Sequence, residues 1–427
     1  MANNFDSNFT EKLSRVFLEK FDSMRVLSKN VDTQLLSGAY NSESGDTVSF
    51  KRPTDYISQR TSDGDISGTT ANSIITGKAT GVIQDYITVE VDFNEADQAI
   101  KMGGLEKLLA PMATRIKTDL EVDFAAYMMK NCGLLAGTYG TAVSTWDHVA
   151  AAGAVMEATG VPMDNDWNYA VNPFTKTSLA SNQRSLGAGG SAGDMISKAH
   201  RKAILTEDFA GMTVLSATTL GSYTSATTGD LVGAMSANPT VTYLGAKDTM
   251  TQSLAMENFG TFTGTIPAGT VIKITGRNRL NLSTRQPIVD AAGAKILFTA
   301  TVTADASFTS GAGTLVVAGP GIFEAAGAFN TTETAIVDTD VVTILGADTT
   351  LYQPNMFWHK EAFSIGSVPI EKLYSTDTLA TTEDGLQIRV SKGASIRENK
   401  QIVRFDLRPA FATLNPFFAG QGWGESV

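Results

Sequence analysis

Residues Leu108–Asn131 read LLAPMATRIKTDLEVDFAAYMMKN, and the rest of the chain is organised around them. Leu108, Met112, Ile116, Leu120, Phe124 and Met128 recur at helical spacing, and Leu109, Ala113 and Tyr127 widen the stripe. One face of a long helix is therefore buried. Pro111 suits a first turn and Asn131, Cys132 and Gly133 supply a stop, so about 23 residues, or roughly 35 Å, are expected to be helical. Arg115 with Asp119 and Lys117 with Glu121 lie four apart, which places two ion pairs on the outer face.

Upstream, Asn8 and Glu11 form a capping box for an amphipathic helix whose apolar residues run from Phe9 through Phe17 and Phe21 to Leu27. That face either closes the chain's own core or lies on a neighbouring subunit. Two strands follow, Thr47–Arg52 and Tyr86–Phe93, and the spacing allows them to pair as a long hairpin. Between them RTSDGDISGTTANSIITGK, Arg60–Lys78, is too polar for a core and too long for a simple connection, so it is expected to extend towards another subunit, the alternative being a mobile surface loop.

Downstream, Trp146–Thr159 reads as a helix capped by Ser144 or Thr145, followed by a strand Tyr169–Val171, helices Phe174–Asn182 and Asp194–Lys202, and a strand Met212–Ala217. From Ser222 to Pro354 the composition shifts to Thr, Ala, Gly and Val. Strands are expected there at Val241–Leu244, Thr261–Ile266, Thr270–Thr275, Ile296–Thr303, Thr314–Val317 and Val341–Leu345, enough for a small barrel or sandwich. Phe363–Val368, Leu386–Val390 and Ile402–Leu407 are too few to stand alone. They are expected to complete the sheet begun before residue 222, which makes the all-β segment an insertion with adjacent ends.

The chain has 427 residues, a net charge of -11 and one cysteine, Cys132. The acidic balance argues against a general nucleic-acid binder, since counterion release needs clustered Lys and Arg. No run of about 20 apolar residues spans a membrane and the first residues lack the order of an export signal. A single cysteine excludes an internal disulfide and suits a reducing cytosol, with Cys132 expected as a small buried hydrophobe.

Catalytic and metal patterns fail on inspection. Gly189, Ser191 and Gly193 match a hydrolase elbow with His359 and Asp338 or Asp340 in the required order, and Gly187, Gly189 and Ala192 mimic a dinucleotide loop, but no strand leads into either. Asp164, Asp166 and Asn168 begin like a calcium loop, yet Tyr169 and Thr175 stand where Gly and Glu are required. His148, His200 and His359 have no ligand spacing. Within the insertion Lys273, Arg277, Arg279, Arg285 and Lys295 precede Asp305, Glu324, Glu333, Asp338, Asp340 and Asp348. This order gives either two faces of opposite sign fit to meet a copy of the chain or scattered solvated charges.

With these parts in order, DTVSFKRP, GDISG and SGTTANSIITGKATG in the loop region, the long helix, NPTVTYLGAKD and LFTATVTADAS in the insertion, and VRFDLRPAFATLNPFFAGQ near the end become recognisable together. The chain resembles the major capsid proteins of tailed double-stranded DNA phages, with the α+β Hong Kong 97-type fold and the inserted β-barrel of a short-tailed subgroup. The resemblance implies a non-enzymatic protein without cofactor. By the resemblance it would form hexamers and pentamers of an icosahedral shell around a scaffolding protein, with a portal at one vertex, and would touch packaged DNA weakly and non-specifically. The chain would assemble in the host cytoplasm, reside in the virion and meet no membrane. The implied division is 1–46, an N-terminal arm; 47–93, extended loop and peripheral strands; 94–135, the peripheral region with the spine helix; 136–221 and 355–427, the axial domain; and 222–354, the inserted barrel. Lys51–Lys78 would lie over a neighbour, Trp146–Leu220 with Asn355–Phe418 would surround the capsomer axis, and Gly245–Gln252 would contact the next capsomer. Candidate intersubunit residues are Arg52, Arg60, Asp63, Asp65, Lys78, Lys247, Asp248, Arg277 and Arg279. Some relatives cross-link a loop lysine to an asparagine, a role Lys78 would fill, although members with the barrel generally do without the bond. The alternatives are a surface or fibre protein with an immunoglobulin-like module, which would carry an export signal, and a serine hydrolase resting on Ser191 alone.

Overall fold

The computed structural model describes residues 17–19, 21, 25–33, 47–51, 56–68, 74–94, 105–164, 166–186, 205, 208–225, 229–239, 241–325, 327–346, 349–368, 370, 372, 377–382, 385–395 and 400–425. The capping box at Asn8, the Gly187–Gly193 run with Ser191, His200 and the helix at Asp194–Lys202 lie outside them. The chain divides into two compact units. One comprises 1–50, 80–125 and 363–412, and the other 51–79, 126–362 and 413–427.

In the first unit the spine forms where its stripe demands. Met112, Ile116, Leu120 and Phe124 are buried, and Phe124 packs on Phe363 and Phe411. The helix begins at Leu105, however, so Pro111 lies inside it rather than in its first turn. Arg115 and Asp119 pair at 3.0 Å in the exposed position expected. Glu121 does not pair with Lys117. It is 0% exposed, and its carboxylate accepts the Leu27 N–H (2.7 Å), the Ser28 N–H (3.1 Å) and the Ser28 hydroxyl (2.5 Å). Counting three back from Phe124 and seven back from Met128 puts Glu121 on the edge of the buried stripe, which overrides the pairing at four. Phe17 stacks on Phe405 at 4.3 Å and Phe21 is fully buried, so these residues of the N-terminal segment close the chain's own core.

The strands Thr47–Lys51 and Ile87–Asn94 do not form the expected hairpin. The first joins a sheet in the order 47–51, 78–83, 409–413, 363–367, and the second lies at the edge of 378–381, 387–395, 400–407, 87–94. A strand at Lys78–Ile83 intervenes as the partner of the first, and 78–83 and 87–94 then pair with 409–413 and 400–407 from the far end of the chain. The latter sheet encloses Asp406, whose carboxylate accepts Arg389 at 2.6 Å, Arg404 at 2.6 Å and Thr88 at 2.7 Å. Burial pushes its pKa up, but the hydrogen bonds from Arg404, Arg389 and Thr88 outweigh it and hold the group below the usual aspartate range. A carboxyl depressed in the folded state stabilises fully above its unfolded pKa of about 4, and this contribution is lost as pH falls through the folded value. Urea titrations between pH 6 and pH 2 should therefore show a shallower acid limb for Asp406→Asn than for wild type, from a lower starting stability.

In the second unit a six-stranded sheet runs 134–136, 419–422, 355–359, 167–171, 212–216, 208–209. Two neighbours are parallel, 419–422 with 134–136 and 167–171 with 212–216, and helix Pro173–Leu186 belongs to the crossover of the second pair. Thus Asn355–His359 and Ala419–Gly422 complete the earlier sheet. The strands expected to do so, at 363, 386 and 402, belong to the first unit. Helix Trp146–Thr159 buries Val149, Ala152 and Met156 in a core with Trp167, Tyr169 and Phe357, and Gly160 at φ 89° ends it. Its N-terminus is closed by His148, whose Nδ1 accepts the Ser144 N–H at 3.1 Å.

The insertion is a closed antiparallel barrel. Strands 251–257, 231–235, 341–344, 271–278, 297–302 and 312–318 pair in that order, and 251–257 pairs with 312–318 to shut the ring, while 306–309 and 264–266 extend it. Its core holds Leu254, Met256, Ile272, Ile274, Phe298, Phe308, Leu315 and Ile344, together with Phe417 from the C-terminal segment. Below the barrel, Tyr223–Thr224 pairs antiparallel with Leu351–Tyr352, so the two ends of the insertion meet in a two-strand neck. There Tyr223 and Tyr352 pack with Tyr139, and the Tyr139 and Tyr223 hydroxyls are hydrogen-bonded. Cys132 is buried as expected, and burial pushes its thiol up to about 11.

Candidate assembly site at the root of the extended loop

Residues Tyr56–Gly68 of the polar stretch are exposed throughout. Their shape is set locally. Asp63 Oδ1 accepts the Asp65 N–H at 3.1 Å and Asp65 Oδ1 accepts the Ser67 N–H at 2.8 Å, two successive turns of the kind Asp favours before Gly or Ser. The bonds from Ser67 hold the Asp65 carboxyl below its usual range, so it is charged at neutral pH.

The loop is then pinned at its return. Ile75 packs on a small cluster of Tyr243, Ala246 and Ile322, where Tyr243 stacks on Phe329 with ring centroids 3.5 Å apart. Gly77 passes so close to the carbonyl of Lys247 that a Cβ there would lie 2.4 Å from its oxygen, so only glycine fits. The Lys78 N–H donates to Asp248 Oδ1 at 3.1 Å, and Lys247 Nζ reaches both oxygens of Asp248 at 3.1 and 3.0 Å. The Lys247 ammonium, with the Lys78 amide, keeps the Asp248 carboxyl below the usual range.

The receiving surface is a turn of helix, Tyr243–Ala246, where Val241–Leu244 was expected as a strand. Thr242 caps it, its hydroxyl accepting the Gly245 N–H at 3.3 Å. Tyr243 and Ala246 therefore face inwards together at helical spacing, and Leu244 is left exposed.

Sequence reading named Lys78, Lys247 and Asp248 separately, and the structure brings them together. Arg60, Asp63 and Asp65 lie on the exposed loop, and Arg52 lies outside the described residues. Arg277 and Arg279 are committed to partners within their own chain. Arg277 holds Asp340 with two bonds of 2.6 and 2.5 Å, and Lys295 holds Glu333 at 2.5 Å, so two of the early basic residues neutralise two of the late acidic ones inside the insertion. Arg279 is 4% exposed and donates to the carbonyls of Gly133 and Thr299, at 2.8 and 2.7 Å. Burial pulls it down to about 10, which leaves it charged at neutral pH.

Elsewhere, His359 is paired not with Asp338 or Asp340 but with Asp164, Nε2 to Oδ1 at 2.7 Å, while its Nδ1 accepts the Glu361 N–H. The accepting Nδ1 puts the ring proton on Nε2, where it is donated to Asp164. Among the described residues no three His, Cys, Asp or Glu side chains gather to hold a metal ion.

Such a site offers hydrogen bonds, charge and exposed apolar side chains. A family model described as P22 coat protein - gene protein 5 matches residues 1–424. The chain belongs to that family. The major capsid protein of Acyrthosiphon pisum secondary endosymbiont phage 1 is 36% identical over 431 residues, covering 100% of both chains. Among solved structures, the capsid of cyanophage P-SCSP1u is similar at 11% identity and a TM-score of 0.43, over 94% of this chain and 90% of that one. The mature capsid of bacteriophage PhiM1 matches at 9% identity and a TM-score of 0.40, over 92% and 90%. As a coat protein, the chain is structural.

Proposed function

We propose that this coat protein builds an icosahedral phage shell from hexamers and pentamers, on a Hong Kong 97-type fold with an inserted barrel, and carries out no chemistry on a substrate. It assembles with a scaffolding protein and a portal, in the host cytoplasm, and meets packaged DNA weakly. The net charge of -11 supports the last point, because a container that takes up and releases DNA should not bind it tightly. In this reading 51–79 is the loop that lies over a neighbour, 222–354 the inserted domain, 126–221 with 355–362 and 413–425 the axial domain, and 80–125 with 363–412 the peripheral one.

The observation that carries the reading is the contrast along one segment. Tyr56–Gly68 is exposed at every residue, yet Ile75, Gly77 and Lys78 fasten its return to the Tyr243–Asp248 turn. A single exposed pair from Arg60, Asp63 or Asp65 to a neighbour contributes only about 0–1 kcal/mol, but a closed shell repeats it at every subunit. Deleting Ser62–Ala71 should leave urea unfolding of the unassembled subunit nearly unchanged while preventing particles, or weakening them to heat, in electron micrographs after co-expression with a scaffolding protein. Particles of wild-type size and heat resistance from the deletion would refute the role given to the loop.

A further inference from the structure

Residues Ala419–Gly424 read AGQGWG, with a side chain only at every second position. Strand 419–422 lies between 134–136, to which it is parallel, and 355–359, to which it is antiparallel. Successive side chains of a strand point to opposite faces, so Ala419, Gln421 and Trp423 share one face and Gly420, Gly422 and Gly424 the other. The glycine face is fitted closely to what it covers. A Cβ at Gly420 would collide with the Phe357 ring and with Leu134, one at Gly422 with the Tyr169 hydroxyl, and one at Gly424 with the Ala142 carbonyl. Those walls pack without help from the strand. Phe357 stacks with Tyr169, and the core beneath them, with Leu134, Val149 and Met156, receives no side chain from 419–424.

The other face and the flanking residues are fastened to different parts of the subunit. Gln421 donates through Nε2 to the Gly269 carbonyl of the barrel at 2.8 Å, Phe417 enters the barrel core, and Trp423 packs on Tyr139 and Tyr352 at the neck. Along the backbone the Gly133 N–H donates to the Pro416 carbonyl at 2.7 Å and the Trp423 N–H to the Ala136 carbonyl at 2.9 Å. One short segment thus ties barrel, neck and sheet together. Without it the ring of the barrel still closes, and 355–359, 167–171 and 212–216 still pair with one another. Its closure also carries a cost, because the Tyr169 hydroxyl against Gly422 is buried with no hydrogen-bond partner among the described residues, a bond that water supplies whenever the strand is out. We infer that Asn415–Gly424 is a strap that closes last, sliding its glycine face into a slot whose walls are already formed, and that its closure fixes the barrel on the sheet and makes the subunit competent to join a shell. Pairing with 134–136 joins segments far apart in sequence, which places it among the slower steps of folding. The assembly half of the inference rests on the shell-building reading, and the order of closure does not.

The order of closure is read on the wild-type chain, diluted from urea and pulse-labelled by hydrogen exchange as it refolds. Peptides spanning 419–424 should gain protection roughly tenfold more slowly than those of 271–278 in the barrel or 167–171 in the sheet. Equal rates would overturn the strap, since the strand would then fold together with its walls. Full-length Gly420→Ala, whose added Cβ the slot cannot hold, tests the consequence. It should keep native protection in the barrel and in 167–171, lose it roughly tenfold at Trp423, and give about a tenth of the wild-type yield of particles when co-expressed with a scaffolding protein. Unchanged protection at Trp423, loss of protection through the barrel as well, or particles at wild-type yield would each overturn the inference. If wild type itself yields no particles, the shell reading fails, and the refolding order still decides whether the strap closes last.

Discussion

Phe417→Ala should unfold at lower urea than wild type by about 3–5 kcal/mol, the cost of emptying a large aromatic from a closed core. Phe417 belongs to the barrel's core cluster, although it lies beyond the end of the insertion, on a single turn Pro416–Phe418 whose start is capped by Asn415. The Arg279 guanidinium lies 5.9 Å from its ring centre. Truncation therefore removes core volume and also an aromatic face from a buried cation. Phe418→Ala, at a partly buried neighbour, should cost clearly less. The same contact bears on residues 222–354 expressed alone. The ring of strands is complete within them, so the fragment should unfold cooperatively, but at a lower denaturant concentration than the barrel does in the full chain because one core residue is missing. A protease-sensitive fragment without a cooperative transition would show that the ring depends on its plug.

Glu121→Ala should be nearly as damaging, by about 2–4 kcal/mol, because it leaves the buried Leu27 and Ser28 amides and a hydroxyl without acceptors. Lys117→Ala, the other half of the pair suggested by spacing, should change stability by less than about 0.5 kcal/mol. Glu121→Gln separates charge from volume. It fills the same space but places an NH2 group where donors already point, so it should recover only part of the loss. Amide exchange at Leu27 and Ser28 should rise in both Glu121 variants and stay unchanged in Lys117→Ala.

These two residues also mark the limit of what the sequence made legible. The spine, the helix Trp146–Thr159, the alternating Leu386, Ile388 and Val390, and four of the barrel strands are local patterns, because burial on one face imposes a period on the side chains. What a strand pairs with is not local. The hairpin expected between 47–51 and 87–94 gave way to 78–83 as the partner of the first and to 400–407, more than 300 residues away, as the partner of the second, and nothing in a period of two specifies which edge is free. Leu231–Met235 is a strand without a clear sequence signal, because Gly233 breaks its apolar alternation. In the structure a side chain there would collide with Phe259. Val241–Leu244 read as a strand from Val and Tyr, while the cap at Thr242 and the inward pair Tyr243 and Ala246 were the stronger signal. At the assembly site the polarity of the loop was legible, but its fastening through Gly77 to the Lys247 carbonyl is a backbone approach between segments 170 residues apart and leaves no mark except a glycine.

The two-strand neck at Tyr223 and Tyr352 sets an order of events during folding. Strands 167–171 and 355–359 are neighbours in the sheet, and the chain between them must close before they can pair. With the insertion unfolded, the span between the neck strands is a flexible loop of roughly 130 residues. Once the barrel has formed, the same ends are held together, which removes about 1 kcal/mol of closure entropy from the barrier to pairing. The barrel thus acts as a clasp in time as well as in space: variants that slow its closure should delay sheet formation in refolding experiments, even when the mutated residue never touches the sheet.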